Sequence, residues 1–239
     1  MLTKIKVTIK VLLSRITGNS SHLKKGVTCN KVWYGNTYGG FYICPDFLNE
    51  KTIVYSFGIG EDISFDLDIA KKHNCRIFGF DPTPKSITWM TKQSLPQTFQ
   101  FFDFGLSNKS GPVDFFLPKK NEYVSGSVIM QDNLNAKEKI TVNMKTLAQI
   151  MSELGHQHLD VLKMDIEGAE YNAIDDILND QMSITQILIE FHDRFFHEEG
   201  KLKTKQAIEK LKSKGYEIFA VSDSMEEISF INKKAFLPS

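Results

Sequence analysis

Three stretches of this 239-residue chain carry residue types at spacings that can do chemistry. The first is Ser56-Phe57-Gly58-Ile59-Gly60-Glu61-Asp62, a pair of glycines directly after the apolar run Ile53–Phe57. Glycines at that place let the backbone approach a ligand closely. Asp81 follows Gly60 by 21 residues, at the end of the next apolar run. An acid at about that distance can accept hydrogen bonds from ribose hydroxyls. Gly58, Gly60, Glu61, Asp62 and Asp81 therefore read as a nucleoside-cofactor site. Asp103, ending a third run, is placed to meet an adenine amino group.

The second stretch is Asp160-Val161-Leu162-Lys163-Met164-Asp165-Ile166-Glu167-Gly168-Ala169-Glu170. Asp165 ends a strand, and Glu167 and Glu170, three apart, share a face of the helix that begins there. Lys163 lies two before Asp165, so both point to one side of the strand. The glutamates can also serve simply to complement the helix dipole. The third stretch is Ile189-Glu190-Phe191-His192-Asp193-Arg194. His192 suits a general base near neutral pH or a metal ligand. Asp165 with His192 or Asp193 can hold a divalent metal ion that orients a substrate hydroxyl. Asp165, Glu167 and His192 are the candidate catalytic residues, with Asp165 also facing the cofactor. Whether a metal is used is left open.

The cofactor follows from what the glycine turn lacks. A dinucleotide fingerprint places a third glycine three residues after the second, where this chain has Ile63. Glu61 and Asp62 would repel a pyrophosphate. They suit a cofactor without phosphate and with a positive end, and S-adenosylmethionine (SAM) fits that description. A nicotinamide-dependent oxidoreductase and a non-catalytic nucleoside-binding module remain the alternatives. Asp66-Leu67-Asp68 has the form of the DxD of some sugar transferases, but it falls inside a predicted helix and is set aside. His156 and His158 flank a turn and read as solvated.

The elements that must position these groups alternate. Apolar strands are expected at 53–57, 76–80, 99–104, 159–164, 184–191, 216–221 and 227–232, with an additional strand over 113–117. Helices are expected at 62–73, 83–93, 146–154, 169–178 and 204–214, and a polar loop over 119–139. This predicts an α/β three-layer sandwich: a mostly parallel seven-stranded sheet, helices on both faces, and an antiparallel last strand. Ligands then bind beyond the carboxyl ends of the strands, at the point where strand order reverses. Trp33–Tyr42, rich in glycine and aromatics, is either a flap over the site or a short hairpin on the core edge.

Composition sets the outer limits. The chain is 41% hydrophobic and 24% charged, which suits one folded domain and argues against disorder. Lys+Arg and Asp+Glu are both 29, so no basic excess points to nucleic acid. The zero net charge hides an arm: residues 1–45 contain no acid and carry a formal +7. Residues 1–30 read as a basic extension ahead of a domain over 31–239. Contact of that arm with an anionic lipid surface is the alternative to a plain tail. Three widely spaced cysteines (Cys29, Cys44, Cys75) suggest a reducing, cytoplasmic setting, membrane-peripheral if the arm binds lipid. Nothing in the sequence indicates an oligomeric state.

Ser56–Asp62, Phe80-Asp81-Pro82-Thr83-Pro84, Leu162–Glu170 and the strand pair after Gly215 together resemble the FkbM-type SAM-dependent methyltransferases, over roughly residues 36–235. The resemblance implies a class I methyltransferase fold, Rossmann-like, and O-methylation of hydroxyls on sugars, glycans or polyketide-type products. It places Gly58 and Gly60 along the methionine part of SAM, Asp81 on the ribose, and Asp165 and Glu167 beside the transferred methyl. The chain departs from many class I enzymes at Ser56, where they have an acid. Glu61 or Asp62 is then expected to hold the cofactor's amino end.

Overall fold

The computed structural model describes residues 21–118, 134–180 and 182–237. The expected alternation is present. Strands β3 (Ile53–Phe57), β4 (Arg76–Phe80), β5 (Phe99–Phe102), β9 (His158–Met164), β10 (Ser183–Glu190), β11 (Tyr216–Val221) and β12 (Glu227–Asn232) form one seven-stranded sheet in the order β5-β4-β3-β9-β10-β12-β11. Five strands from β5 to β10 pair in parallel, whereas β12 inserts between β10 and β11 and is antiparallel to both. The strand order reverses between β3 and β9. This order, with one antiparallel strand inserted next to the edge, is the class I methyltransferase sheet.

Strands buried on both faces read as nearly continuous apolar runs. Neighbouring residues accordingly enter opposite cores. Tyr55, Leu162 and Ile187 pack against helices α3 (Leu147–Leu154), α4 (Glu170–Asn179) and α5 (Gly200–Ser213). Val54, Val161 and Leu188 pack against α1 (Ser64–His73) and α2 (Pro84–Met90). Local sequence sets the helix ends. Thr146 caps α3 by accepting from Gln149 N at 3.2 Å, and Gly155 ends it in the left-handed conformation at φ 71°. The first helix starts two residues later than the apolar pattern suggests. Asp62 Oδ1 accepts from Ser64 N at 2.8 Å and holds the preceding residues in a turn. The last helix starts at Gly200, earlier than expected, and that glycine meets the Asp193 carbonyl too closely for any Cβ.

Three further departures matter. Trp33–Tyr42 is a hairpin: β1 (Val32–Tyr34) pairs antiparallel with β2 (Phe41–Ile43). It lies on the α1–α2 side and is tied down by Cys44 N to Gln186 Oε1 at 2.8 Å and Ser229 Oγ to Tyr42 O at 2.8 Å. A small second sheet contains β6 (Gly105–Leu106), β7 (Gly111–Pro118) and β8 (Leu134–Lys145). The loop expected at 119–139 thus gives its last six residues to β8, and 119–133 lie outside the described residues. Pairing with β7 imposes the extended backbone on Leu134–Lys139, whose own pattern is not strand-like.

Residues 21–30, expected to belong to a separate extension, follow the sheet edge. Gly26 N donates to Ile218 O at 2.9 Å, and Leu23 and Val27 pack on the two cores. Most of the basic arm (1–20) lies outside the described residues. His156, read as solvated, bonds the buried Tyr55 hydroxyl at 2.7 Å, and His158 bonds Ser183 Oγ at 2.8 Å. The three cysteines are free.

Candidate functional site

A cavity of about 790 Å³ opens beyond the carboxyl ends of β3, β4, β9 and β10. Its first wall is the glycine turn. Gly58 has φ +80°, and a Cβ there would sit 1.6 Å from the Asp165 carbonyl oxygen, so only glycine fits. The turn is tied to both neighbouring strands. Gly58 N donates to Phe80 O at 3.0 Å, and Asp165 N donates to Phe57 O at 3.1 Å. Lys163 Nζ, itself buried, donates to Gly58 O at 3.0 Å.

Asp81, 5% exposed, organises the turn from the side. Its Oδ2 accepts from Gly60 N at 2.8 Å; its Oδ1 accepts from Thr83 N at 2.8 Å and Thr83 Oγ1 at 2.6 Å. Burial raises its carboxyl above the ordinary range, against the pull of the Thr83 and Gly60 hydrogen bonds. A carboxylate has about four acceptor positions, so one remains, on Oδ2.

The structure distributes the other predicted cofactor residues unevenly. Glu61 lies on the cavity rim with Lys85 Nζ at 3.4 Å. Asp62 also lines the cavity, but it is occupied in fixing the hairpin: its Oδ2 accepts from Asn36 Nδ2 at 2.7 Å. Asp103 is exposed and does not line the cavity, because β5 ends one residue earlier and the chain turns outward. That expectation is corrected. The stretch set aside as DxD is split by helical geometry. Asp68 accepts from Gly35 N at 3.0 Å, whereas Asp66 lies on the cavity side, buried beneath Ser56 and Lys163. Burial raises the Asp66 carboxyl to about 6, and Lys163 draws it back only in part. Ser56 Oγ and Asp66 Oδ1 are both buried without a hydrogen-bond partner.

The opposite wall is a carboxylate cluster. Between β9 and α4 the chain makes a tight turn in which Glu167 and Gly168 take φ +54° and +98°. A non-glycine residue in that region is uncommon and costs energy. Glu170 stabilises the turn, since its Oε1 accepts from Ile166 N at 3.1 Å and Gly168 N at 3.2 Å. The same oxygen lies 2.8 Å from His192 Nδ1. Asp165, Glu167 and Glu190 all line the cavity and face the other ring nitrogen, His192 Nε2, at 3.7, 3.4 and 3.5 Å.

Burial disfavours the imidazolium, but Glu170, Glu167 and Asp165 outweigh it and raise His192 to about 10. Burial and the nearby Asp165 raise the Glu190 carboxyl. His192 is 1% exposed, with Nδ1 on Glu170 and Nε2 facing three carboxylates, so it holds these groups in place rather than meeting a substrate directly. The expected general-base role of His192 thereby becomes one of positioning.

Asp193, the alternative metal partner, starts the 3-10 turn Asp193–Glu199, and Glu190 stands in its place beside Asp165 and His192. Sequence reasoning gives Glu190 no role of its own and sets Asp66 aside with the DxD stretch. The available signal for Glu190 is its spacing of two from His192 at a strand end, which puts both on one side. Tyr38, at the hairpin tip and 83% exposed, borders the cavity. Desolvation and the Asp165, Glu167 and Glu190 charges raise its hydroxyl above the ordinary value.

Residues 54–218 match the model of the methyltransferase FkbM domain family. Among curated proteins, the probable methyltransferase-like protein 24 of Homo sapiens is 26% identical over 155 residues, covering 64% of this chain and 36% of the relative. The protein of that name from Rattus norvegicus is 24% identical over 188 residues, covering 77% of this chain and 45% of the relative. The chain thus spans less than half the length of these relatives.

Among solved structures, the fibrillarin pre-rRNA processing protein of Methanococcus jannaschii superposes with a TM-score of 0.45 at 13% identity, over 77% of this chain and 68% of that one. Aeropyrum pernix fibrillarin, crystallised with natively bound S-adenosyl-L-methionine, gives 0.40 at 13% identity, over 77% and 66%. The fold assignment rests on strand order and the family match, not on these distant superpositions.

Proposed function

The chain belongs to the methyltransferase FkbM domain family, and from that premise we propose that it transfers a methyl group from SAM to a hydroxyl of a sugar, glycan or other polyhydroxylated acceptor. The observation that carries the reading is one cavity in which a glycine turn on Asp81 faces a wall of carboxylates. When bound, SAM supplies an electrophilic methyl group on a sulfonium, ready for in-line transfer to an oxygen.

The residues present fit that cofactor. A volume of about 790 Å³ lies within the range of small-molecule sites. The lack of a Cβ at Gly58 lets the Asp165 carbonyl close against the glycine turn and shape that wall of the cavity, and the remaining acceptor position of Asp81 suits one ribose hydroxyl. Ser56 stands where an acid is usual, and the orphaned Asp66 Oδ1 beside the cavity supplies the negative group that can receive an ammonium. The acidic lining disfavours a pyrophosphate, which counts against a nicotinamide dinucleotide.

On the acceptor side, Glu167 sits on its strained turn at the cavity wall, placed to orient a hydroxyl and take its proton as the new bond forms. Asp165 fixes the second edge of that pocket, and buried His192 holds the carboxylates in register. Proximity and orientation supply much of the acceleration. The acid-free arm supports a further part of the proposal, contact with an anionic lipid surface. Unchanged liposome binding after deletion of residues 1–25 would remove that part.

The test is calorimetric binding of S-adenosylhomocysteine to the wild type and to Asp81→Ala. We expect saturable binding that weakens at least tenfold in the variant, about 1.4 kcal/mol. No binding by a folded wild type that instead binds NAD⁺ would overturn the reading.

A further inference from the structure

The wall at the ends of β9 and β10 has the form of a cation site. His192 is 1% exposed and enters the wall from just beyond β10 with its ring fixed on one side, Nδ1 against Glu170. Its Nε2 meets three carboxylates at 3.4, 3.5 and 3.7 Å. Each of these separations exceeds the usual N–H···O length of about 2.7–3.2 Å. The three groups surround the nitrogen at similar distances, and none closes onto it. Ligand atoms of Asp165, Glu190 and His192 all lie within 4.8 Å of one another. An ion about 2.1 Å from each of two tetrahedral ligands sets them about 3.4 Å apart, so this spacing leaves room for one ion.

The arrangement behind the ring is an independent observation. A metal-bound histidine ordinarily donates its other N–H to a carboxylate, which fixes tautomer and orientation. Glu170, fully buried on α4, does this while its Oε1 also holds the Ile166 and Gly168 amides. Two cations face the cluster without filling it. Lys163 Nζ stands 3.7 Å from Asp165 Oδ2, away from the Oδ1 that meets His192, and Arg194 Nη2 stands 3.9 Å from the Glu190 Oε1 that also faces His192, too far for a hydrogen bond.

We propose that this wall binds one divalent first-row cation through His192 Nε2, Asp165 and Glu190, the ion taking the place of the Nε2 proton, which leaves to solvent, with Glu170 as the carboxylate that orients the imidazole. One imidazole with carboxylates suits Mn²⁺ or Zn²⁺ better than a soft, thiolate-seeking metal. Both carboxylate ligands line the cavity, so the ion's remaining positions face it and can take acceptor oxygens. That use of the ion rests on the methyl-transfer reading; binding of the ion does not.

The test titrates chelator-treated protein with Mn²⁺ alone and follows free Mn²⁺ by electron paramagnetic resonance. One ion per chain is expected. Glu190→Gln and Glu170→Gln should each weaken binding about tenfold to a hundredfold. Asp175→Asn, whose carboxylate pairs with Lys210 on the surface, should leave it unchanged. Absence of saturable binding by folded wild type, or unchanged binding in Glu190→Gln, would overturn the proposal.

If the variants do not fold, the wild type alone decides. Mn²⁺ should broaden the His192 imidazole signals before those of His156, which lies at the far end of β9. Equal broadening of both counts against the site. No SAM is present in either measurement, so a negative result removes the ion and leaves methyl transfer to be judged by S-adenosylhomocysteine binding.

Discussion

Asp81 and Glu170 are buried carboxylates on opposite walls of one cavity, and each pins a tight turn through backbone amides. Their surroundings differ. Asp81 is held by groups from two successive strand–turn units, and both of its oxygens are engaged. Glu170 reaches across to His192, 22 residues away and just beyond the end of β10, and its Oε2 has no hydrogen-bond partner. The first wall is therefore a rigid backbone mould whose side chains are mostly committed. The second is a set of charges from β9, α4 and β10 that share few direct hydrogen bonds. A mould favours a ligand of fixed shape, such as a nucleoside. A charge cluster with spare acceptor capacity favours something that arrives with positive charge or protons to give.

The sharpest way to break this comparison is Gly58→Ala, because the mould has no space. A Cβ would overlap the Asp165 carbonyl, at a φ of +80° that L residues avoid. We expect a loss of at least about 3 kcal/mol in urea unfolding, from strain and overpacking together. A wild-type midpoint would show that the two walls move independently.

Next comes Glu170→Ala, which strands two amides and the His192 Nδ1. A cost of about 2–3 kcal/mol is expected in the same assay. A smaller cost would mean the charge wall is held by packing rather than by this carboxylate.

The third effect depends on pH. The Asp66 carboxyl is raised from 3.8 to about 6, so the folded state holds that proton more tightly than the unfolded chain. Its stabilising contribution is complete below 3.8 and is lost as pH rises through about 6. Asp66→Asn should therefore be more stable than wild type at pH 8, by about 3 kcal/mol, and close to it near pH 4. S-adenosylhomocysteine binding should weaken in the same variant. Greater stability with unchanged affinity would release Asp66 from any part in the cofactor site.

Much of the scaffold was legible because its signals are local. The seven strands are apolar runs of four to eight residues, bounded by turn residues or by the caps Thr83, Thr146 and Gly155. The extended backbone of Leu134–Lys139 was not legible, since its pairing with β7 overrides its own polar pattern. Asp103 and Asp66 exchanged roles for a related reason. A strand that stops at Phe102 turns Asp103 outward, and one face of α1 turns Asp66 inward against the sheet. His156 was misread because its partner, the Tyr55 hydroxyl, is 101 residues away in sequence.

The sequence by itself determined where backbone would come close to a ligand and which strand ends would carry acids. Glycines, caps and apolar runs act over a few residues, and their physics is the same in any context. Only the tertiary structure decided what those acids do. Whether His192 meets a substrate or holds the carboxylate wall in place depends on Glu170, Glu167 and Asp165 reaching it from neighbouring elements. Whether Asp62 faces a cofactor or fixes a hairpin depends on where Asn36 lies. The charge state and orientation of a buried group follow from its neighbours in space, and folding alone brings those neighbours together.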